Sequence, residues 1–176
     1  WQNGNRSTLT DSKLTGLILG LSLHSKPAEV FRALVEATAF GARVIVERYR
    51  EYGVPIERII ACGGISQKSS MTMQIYADVL DCPMEVSAHE QSCALGAAMA
   101  GAVVGGMHAN FRAAASAMTG EIKEVYKPVP ENQRIYDRLF KLYMKLHDLF
   151  GTSTYTENQF ELMKELLLIR EEVRGR

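Results

Sequence analysis

The stretch IIACGG at residues 59–64 constrains the possible folds of this chain more than any other part of it. A short β-branched run followed by a helical pattern predicts a strand, a turn and a helix in that order. Glycine has no Cβ, so the backbone at Gly63 and Gly64 can adopt positive φ and let a ligand approach closely. Backbone amides at the start of the next helix carry partial positive charge and suit a phosphate. The same two glycines are also compatible with an ordinary strand-to-helix turn that binds nothing. Features elsewhere in the sequence are needed to decide between a phosphate-binding turn and this structural one.

Composition excludes several classes of protein. The chain has 176 residues, of which 47% are hydrophobic, which is enough for a buried core and suggests one domain. Its 20 basic and 20 acidic side chains balance, so we expect neither nucleic acid nor an anionic membrane as a partner. No apolar run is long enough to cross a bilayer. The cysteines, Cys62, Cys82 and Cys93, form no C-x-x-C pair. Their apolar or small-residue settings predict reduced, buried thiols in a cytoplasmic protein, not a disulfide or zinc site.

The first part of the chain is polar and rich in turn residues. It starts with Trp1 in a loop-like stretch, and we expect it to be a piece of a longer protein. Residues 3–5 predict a tight turn. The apolar run at 14–23 is compatible with a buried strand or a close-packed turn, and periodicity does not decide between them.

Two long amphipathic helices are predicted, one on each side of the central region. The first begins at Ser25-Lys26-Pro27 and ends before Gly53, and the second covers residues 131–150. Gly41 lies inside the first helix, where glycine costs about 1 kcal/mol relative to alanine. We therefore expect another backbone or a flat ligand close to Gly41. A linker follows at 151–156, with a capping box of Thr156 and Gln159 before a last helix at 160–173.

The central region alternates short strands with helices. One helix is predicted at 68–81, with Met71, Ile75 and Val79 on one face, and a strand at 83–87 follows it. The alanine- and glycine-rich segment 94–106 predicts a helix that packs closely near a site, with Glu90 and Ser92 available to cap its start. A short helix at 110–118 and an edge strand at 122–127 complete the region. This alternation indicates an α/β layered fold, in which a ligand would bind at the carboxyl end of the strand before the glycines.

Five segments, taken together, resemble the C-terminal domain of the FGGY family of carbohydrate kinases, and its ribulokinase-like members in particular. They are WQNGNRS at the start, EATAFGARVIVE at 36–47, CGGISQKSSMTMQIYADVL at 62–80, ALGAAMAGAVVGG at 94–106 and VYKPVPENQRIYDRLFKLYMKLHDLF at 125–150. Their order and spacing carry the resemblance, since no single segment is decisive. Thr8 departs from it, because the related loop commonly has proline there, and this puts the local shape of that loop in question.

The resemblance implies an actin-like (ribonuclease H-like) domain, the C-terminal one of a two-domain sugar kinase with ATP held between the domains. Residues 1–150 would be this nucleotide-binding domain, truncated on its N-terminal side, and residues 151–176 a linker and C-terminal helix. Gly63 and Gly64 would contact the nucleotide, and Lys68 would lie by its adenosine end. Gly96 and the alanines around it would support the loop, while Gln74 and Asp78 would have mainly structural uses.

The implied reaction transfers the γ-phosphoryl group of ATP, with Mg²⁺, to a hydroxyl of a ketopentose. The catalytic base of the family is an aspartate of the first domain, so we expect no catalytic and no metal-binding residue in this chain. The partners would be ATP, the sugar and the protein's own N-terminal domain, and a homo-oligomer stays open. Two alternatives remain: a family member that acts on xylulose, glycerol or gluconate, and a non-catalytic nucleotide-binding or structural module.

Overall fold

A computed structural model describes residues 1, 3–120 and 122–175 of the chain. Its helices are α1 (Pro27–Glu51), α2 (Gly64–Lys68), α3 (Ser70–Leu80), α4 (Ser92–Val104), α5 (Phe111–Met118), α6 (Pro130–Gly151) and α7 (Leu162–Arg174). Its strands are β1 (Ile59–Ala61), β2 (Met84–Ser87) and β3 (Ile122–Tyr126). The predicted alternation of strands and helices in the central region is therefore confirmed. Over the described residues, no helix is long and apolar enough to cross a membrane.

The chain divides into two compact units. Unit 1 comprises Trp1–Pro55, Asp78–Leu80 and Val129–Arg176, and unit 2 comprises Ile56–Ala77 and Asp81–Pro128. Unit 1 contains α1, α6 and α7, whereas unit 2 contains all three strands. The division of the sequence at residue 150 into a domain and a tail stays a prediction.

The sheet of unit 2 has the strand order β1-β2-β3. β1 runs parallel to β2, with Ile60 opposite Glu85, and β3 runs antiparallel to β2, with Val125 opposite Glu85. This confirms the predicted edge strand. A parallel pair needs a crossover connection, and α2 and α3 supply it. Because β1 and β2 are parallel, their carboxyl ends meet at one edge of the sheet, where the turn at Gly63 begins.

The helix predicted at 68–81 is wrong in its extent, because the chain forms α2 and α3 with a break at Ser69. The Ser69 hydroxyl accepts a hydrogen bond from the backbone N–H of Thr72 (3.3 Å) and so caps α3. A serine side chain that bonds to the backbone in this way competes with a continuous helix. Ile75 and Val79 are buried as predicted, whereas Met71, in the first turn of α3, is exposed. The alternation predicted for β2 is confirmed, since Met84 and Val86 are both buried.

In unit 1, α1 packs against α6 through aromatic side chains. The ring of Phe40 lies 6.1 Å from Tyr136, 6.0 Å from Phe140 and 5.4 Å from Tyr143, measured between centroids. We call these four residues the aromatic cluster. The expectation of another backbone close to Gly41 is wrong, since the nearest described atom to a Cβ built there is the Tyr143 hydroxyl at 3.9 Å. The alternative expectation, a flat ligand close to Gly41, stays a prediction.

The start of α6 is fixed by a buried carboxylate. Asp78, 2% exposed, accepts hydrogen bonds from the backbone N–H of Val129 (2.8 Å) and from Asn132 Nδ2 (2.9 Å). Val129 is the residue that precedes α6, so the carboxylate satisfies a donor that the helix cannot. Gln74 donates through Nε2 to the carbonyl of Lys127 (2.8 Å). Both side chains therefore have the structural use that the sequence predicted.

α7 packs on α6 through leucine and isoleucine side chains, with Leu142, Leu162 and Ile169 buried at the centre. The capping box predicted before α7 is wrong, because the cap residue, Glu161, makes no side-chain cap. Gln159 instead donates through Nε2 to the Tyr155 hydroxyl (2.6 Å). The Gln159 side chain therefore bonds within the turn before α7 and not to the start of the helix.

The apolar run at 14–23 is neither a strand nor buried. It has irregular backbone. Leu14 is half-buried, and the leucines after it are exposed, from 39% at Leu19 to 102% at Leu23. The buried-strand interpretation is therefore wrong. Leu17 and Leu21 are exposed in the same way. A strand needs a hydrogen-bonded neighbour, and no described strand pairs with this run.

Candidate functional site

The turn after β1 has a backbone shape that requires glycine at its first position. Gly63 has φ 88° and ψ 178°, a combination that is essentially restricted to glycine. Gly64 follows as the first residue of α2. A Cβ built on either glycine meets no described atom within 4 Å. The turn is therefore not filled by its own side chains, and its backbone faces open space.

Side chains of α2 hold this turn from within unit 2. Ser66, 7% exposed, donates from its hydroxyl to the carbonyl of Gly63 (2.8 Å). Gln67 donates through Nε2 to the carbonyl of Ser87 at the end of β2 (2.6 Å), and Lys123 Nζ donates to Gln67 Oε1 (2.8 Å). The turn is thereby tied to the ends of two strands. Sequence analysis missed Ser66 and Gln67, and their place two and three residues after the glycines was the available signal.

The loop at the carboxyl end of β2 is ordered by His89. Its Nε2 accepts a hydrogen bond from the backbone N–H of Gly120 (2.8 Å). An accepting Nε2 places the hydrogen of the neutral ring on Nδ1. Ser92 donates to the carbonyl of His89 (3.3 Å) and does not cap α4, whose cap residue Gln91 makes no side-chain cap hydrogen bond. The predicted caps Glu90 and Ser92 are therefore wrong.

α4 buries only a narrow face. Met99 and Ala102 are buried, whereas Ala97 and Gly101 are exposed. The close packing expected for this small-sided helix is therefore limited to one side of it. A Cβ on Gly96 meets no described atom within 4 Å, so the supporting role of Gly96 stays a prediction.

The cysteines are free, but only Cys82 is buried. The prediction of burial is wrong for Cys62 and Cys93, which are exposed. Cys62 is exposed because it directly precedes the open glycine turn. Cys93 lies near the start of α4, outside its buried face.

Lys68 is exposed and ends α2, so it lies on the same short helix as Gly64. The three residues that the sequence assigned to the nucleotide, Gly63, Gly64 and Lys68, are thus brought together on one turn and one helix. Within the described part of the chain, no group of three or more His, Cys, Asp or Glu side chains could hold a metal ion. The candidate site, as the sequence predicts it, therefore combines the backbone of Gly63 and Gly64 with the side chain of Lys68.

Two cavities lie elsewhere, both in unit 1. The larger, about 430 Å³, is lined by residues that include Trp1, Tyr143 and His147, and the smaller, about 210 Å³, by residues that include Glu29 and Arg174. Neither is lined by Gly63, Gly64 or Lys68. The nucleotide assignment therefore depends on the open turn itself and not on either cavity.

The parallel strand pair, the bare glycine turn and the following helices form a mixed α/β domain, which the comparisons with known proteins identify as a carbohydrate kinase domain of the actin-like ATPase fold. A family model described as the C-terminal domain of the FGGY family of carbohydrate kinases matches residues 1–104. The chain belongs to this family. Among solved structures it is similar to a xylulose kinase from Rhodospirillum rubrum (TM-score 0.65, 31% identity), over 80% of this chain and 29% of that one. A gluconate kinase from Lactobacillus acidophilus shares the fold (TM-score 0.74, 23% identity), over 86% of this chain and 30% of that one.

Curated relatives extend the likeness along almost the whole chain. The chain is 44% identical to the ribulokinase of Bacillus licheniformis over 94% of its own length, and 46% identical to that of Geobacillus thermodenitrificans over 99%. It is 44% identical to ribulokinase 2 of Staphylococcus saprophyticus over 86% of its length. The chain spans only 31% of the length of the first two relatives. The likeness therefore concerns one part of a longer kinase.

Proposed function

We propose that the full-length protein containing this chain phosphorylates L-ribulose with ATP, and that this chain is its nucleotide-binding half. The observation that carries the proposal is the open glycine turn of Gly63 and Gly64, found in a chain 44% identical to a ribulokinase over 94% of its length. Transfer of a phosphoryl group depends mainly on positioning and on neutralising charge. A turn that offers bare backbone suits the positioning of a phosphate tail.

Each of the three residues has a distinct part in this site. Gly63 sets the direction of the backbone through its positive φ, and Gly64 leaves the approach to the backbone free of side-chain atoms. The amides at the start of α2 provide partial positive charge toward phosphate oxygens. Lys68, four residues after Gly64, adds a full positive charge toward the adenosine end of the nucleotide.

The remaining parts of the reaction are assigned to the rest of the protein. The aspartate that accepts the proton of the sugar hydroxyl, and most contacts to the sugar, would come from the N-terminal domain. Mg²⁺, when bound with ATP, supplies neutralisation of phosphate charge. We assign it no ligand in this chain, whose described residues contain no cluster of three or more His, Cys, Asp or Glu side chains placed to hold a metal ion. The free cysteines support a cytoplasmic location.

A second candidate function is phosphorylation of another sugar. The 31% identity to the xylulose kinase of Rhodospirillum rubrum favours D-xylulose as the competing substrate. A third candidate function concerns residues 1–176 alone, which would be a nucleotide-binding module without catalysis. For this fragment we expect weak ATP binding and no turnover, because the base and the sugar contacts would be missing.

A substrate panel on the full-length enzyme tests the proposal. L-Ribulose, D-xylulose, glycerol and D-gluconate are compared by coupled ADP release, and we expect kcat/KM for L-ribulose to exceed the others by about tenfold or more. Gly64→Val is expected to abolish turnover of every sugar. A higher kcat/KM for another sugar would overturn the substrate assignment. ATP binding without turnover of any sugar would favour the non-catalytic module.

A further inference from the structure

The register between β2 and β3 changes at the carboxyl end of β2. Val86 lies opposite Glu124, whereas the next residue, Ser87, lies opposite Ile122. The register therefore skips Lys123, which is the extra residue of a β-bulge on β3. Bulges redirect a side chain and are common at sheet edges and next to active sites. Lys123, on an edge strand, thus has a direction that the regular alternation of a strand does not give it.

The redirected lysine contacts Gln67 of α2. Lys123 Nζ donates to Gln67 Oε1 (2.8 Å), and Gln67 Nε2 donates to the carbonyl of Ser87 (2.6 Å). An ammonium group can only donate and a carbonyl can only accept, so one orientation of the amide satisfies both partners. β2 lies between β1 and β3 in the sheet, and α2 follows β1. The amide of Gln67 therefore connects the helix after one strand with the ends of the other two.

Glutamine is the side chain whose chemistry fits this place. An ionised glutamate offers only acceptors and could not donate to the carbonyl of Ser87. A lysine or an arginine at position 67 offers only donors and could not accept from Lys123. The contact consequently depends on a neutral amide of the length of glutamine, with both of its ends in use.

Gln67 is joined to the glycine turn by the short helix α2. It follows Ser66, whose buried hydroxyl donates to the carbonyl of Gly63 (2.8 Å). Gly64 to Lys68 form one helix of 5 residues, so a shift of Gln67 also shifts the two glycines. The Cβ positions of both glycines meet no described atom within 4 Å, so side chains do not support the turn from there. We therefore expect the hydrogen bonds of Ser66 and Gln67 to set the position of the turn.

We infer that Gln67 is a positioning residue for ATP, and that Lys123 acts on ATP only by holding Gln67. The inference rests on the proposed binding of ATP at Gly63 and Gly64, and not on the identity of the sugar. Backbone groups bind a phosphate well only when the turn that carries them is held in place by its surroundings. Without either partner of the amide, the turn still forms through Ser66 but is held less firmly, and ATP binds more weakly.

A double-mutant cycle in the full-length protein tests this inference by calorimetric titration with ATP. Gln67→Leu and Lys123→Met should each weaken ATP binding about tenfold, which is roughly the effect of one hydrogen bond. The double variant should bind no more weakly than Gln67→Leu, because a lysine that acts only through Gln67 then has nothing to hold. Lys127→Met is the matched control, an exposed lysine directly after β3, and should bind like wild type.

The cycle also separates this inference from a direct contact between Lys123 and a phosphate. A Lys123→Met effect as large in the Gln67→Leu background as in wild type would show such a contact and overturn the inference. Unchanged ATP affinity in Gln67→Leu would overturn it too, while the proposed function would stand. Absence of ATP binding by wild type would contradict the proposed function, and this inference with it.

Steady-state kinetics distinguish positioning of ATP from general support of the fold. Gln67→Leu should raise KM for ATP about tenfold and leave KM for the sugar unchanged. Its melting temperature should stay within about 2 °C of wild type. Lys123→Arg keeps a donor for Gln67 Oε1 and should restore KM for ATP to within about threefold of wild type. A lower melting temperature with unchanged KM for ATP would mean that Gln67 only stabilises the fold, and would overturn the inference.

Discussion

The glycine turn in unit 2 contains the helical glycine Gly64, and the aromatic cluster in unit 1 lies beside another helical glycine, Gly41; the space around the two glycines differs. A Cβ built on Gly41 would lie 3.9 Å from the Tyr143 hydroxyl, whereas a Cβ built on Gly64 would meet no described atom within 4 Å. The rings of the cluster pack against one another, so we expect its main contribution to be stability. The turn keeps its shape through Ser66 and Gln67 yet leaves its outer side free. The difference teaches that substitutions in the cluster should change stability alone, and a side chain at Gly64 should change binding alone.

The largest effect on stability is expected from Phe40→Ala. Phe40 is 7% exposed and contacts three aromatic rings, so truncation leaves a cavity that costs about 3–5 kcal/mol of unfolding free energy. Urea unfolding of the full-length protein measures it, with Phe40→Leu as a milder control. ATP affinity of the folded variant should be unchanged. A variant of normal stability with weakened ATP binding would break the comparison.

The next effect is expected from Asp78→Ala at the start of α6. The substitution leaves the Val129 N–H and the Asn132 amide without this acceptor, at a cost of about 2–3 kcal/mol. Asp78→Asn keeps one carbonyl oxygen in place and should lose less. The same unfolding measurement compares the two variants. If Asp78→Ala unfolds like wild type, the proposed role of this carboxylate is wrong.

Substitution by alanine should cost different amounts of stability at the two adjacent glycines, Gly63 and Gly64. Gly63→Ala forces a side chain into positive φ and should cost about 1–2 kcal/mol. Gly64→Ala, at the first helical position with open space around it, should change stability by less than about 0.5 kcal/mol. Thermal and urea unfolding provide both values. Equal costs at the two positions would contradict the difference in backbone conformation between Gly63, with its positive φ, and the helical Gly64.

A smaller, pH-dependent effect is expected in the aromatic cluster. Burial, followed by the charge of Glu36, raises the pKa of Tyr136 to about 12. The folded protein therefore holds this proton more tightly than the unfolded chain, whose tyrosine has a pKa near 10. The stabilisation is fully present below pH 10 and is lost as pH rises toward 12, by about 1 kcal/mol in total after solvent screening.

Unfolding free energies at pH 9 and at pH 11.5, for wild type and Tyr136→Phe, measure this effect. Tyr136→Phe also loses the hydrogen bond to Glu36 Oε1 (2.9 Å), so the two proteins are compared by their change with pH and not by absolute stability. Wild type should lose more stability than the variant over this interval. An identical pH dependence would contradict the raised pKa.

Local sequence patterns predicted most of the elements because local chemistry decides them. The proline and early glutamate of α1, the alternation of Met84 and Val86, and the position of β3 at an edge are all confirmed. The errors have tertiary causes. The run at 14–23 has the composition of a buried strand, but no described strand pairs with it.

The candidate site was only partly accessible to sequence reasoning. The glycine pair is a local pattern, so Gly63 and Gly64 could be found, and the structure places Lys68 on the same helix. Gln67 and His89 were missed because their partners lie 20 and 31 residues away in sequence. Hydrogen bonds across such separations leave no periodic signal in the sequence, and only the fold brings these residues together.

Calorimetric titration of the full-length protein with ATP tests the central claim most directly. The comparison includes wild type, Gly64→Ala, Gly64→Val and the matched helical control Gly41→Ala. If the phosphate tail lies against bare backbone, affinity should fall about tenfold for Gly64→Ala and about 100-fold or more for Gly64→Val, with Gly41→Ala unchanged. Wild-type affinity in a folded Gly64→Val variant would contradict the account.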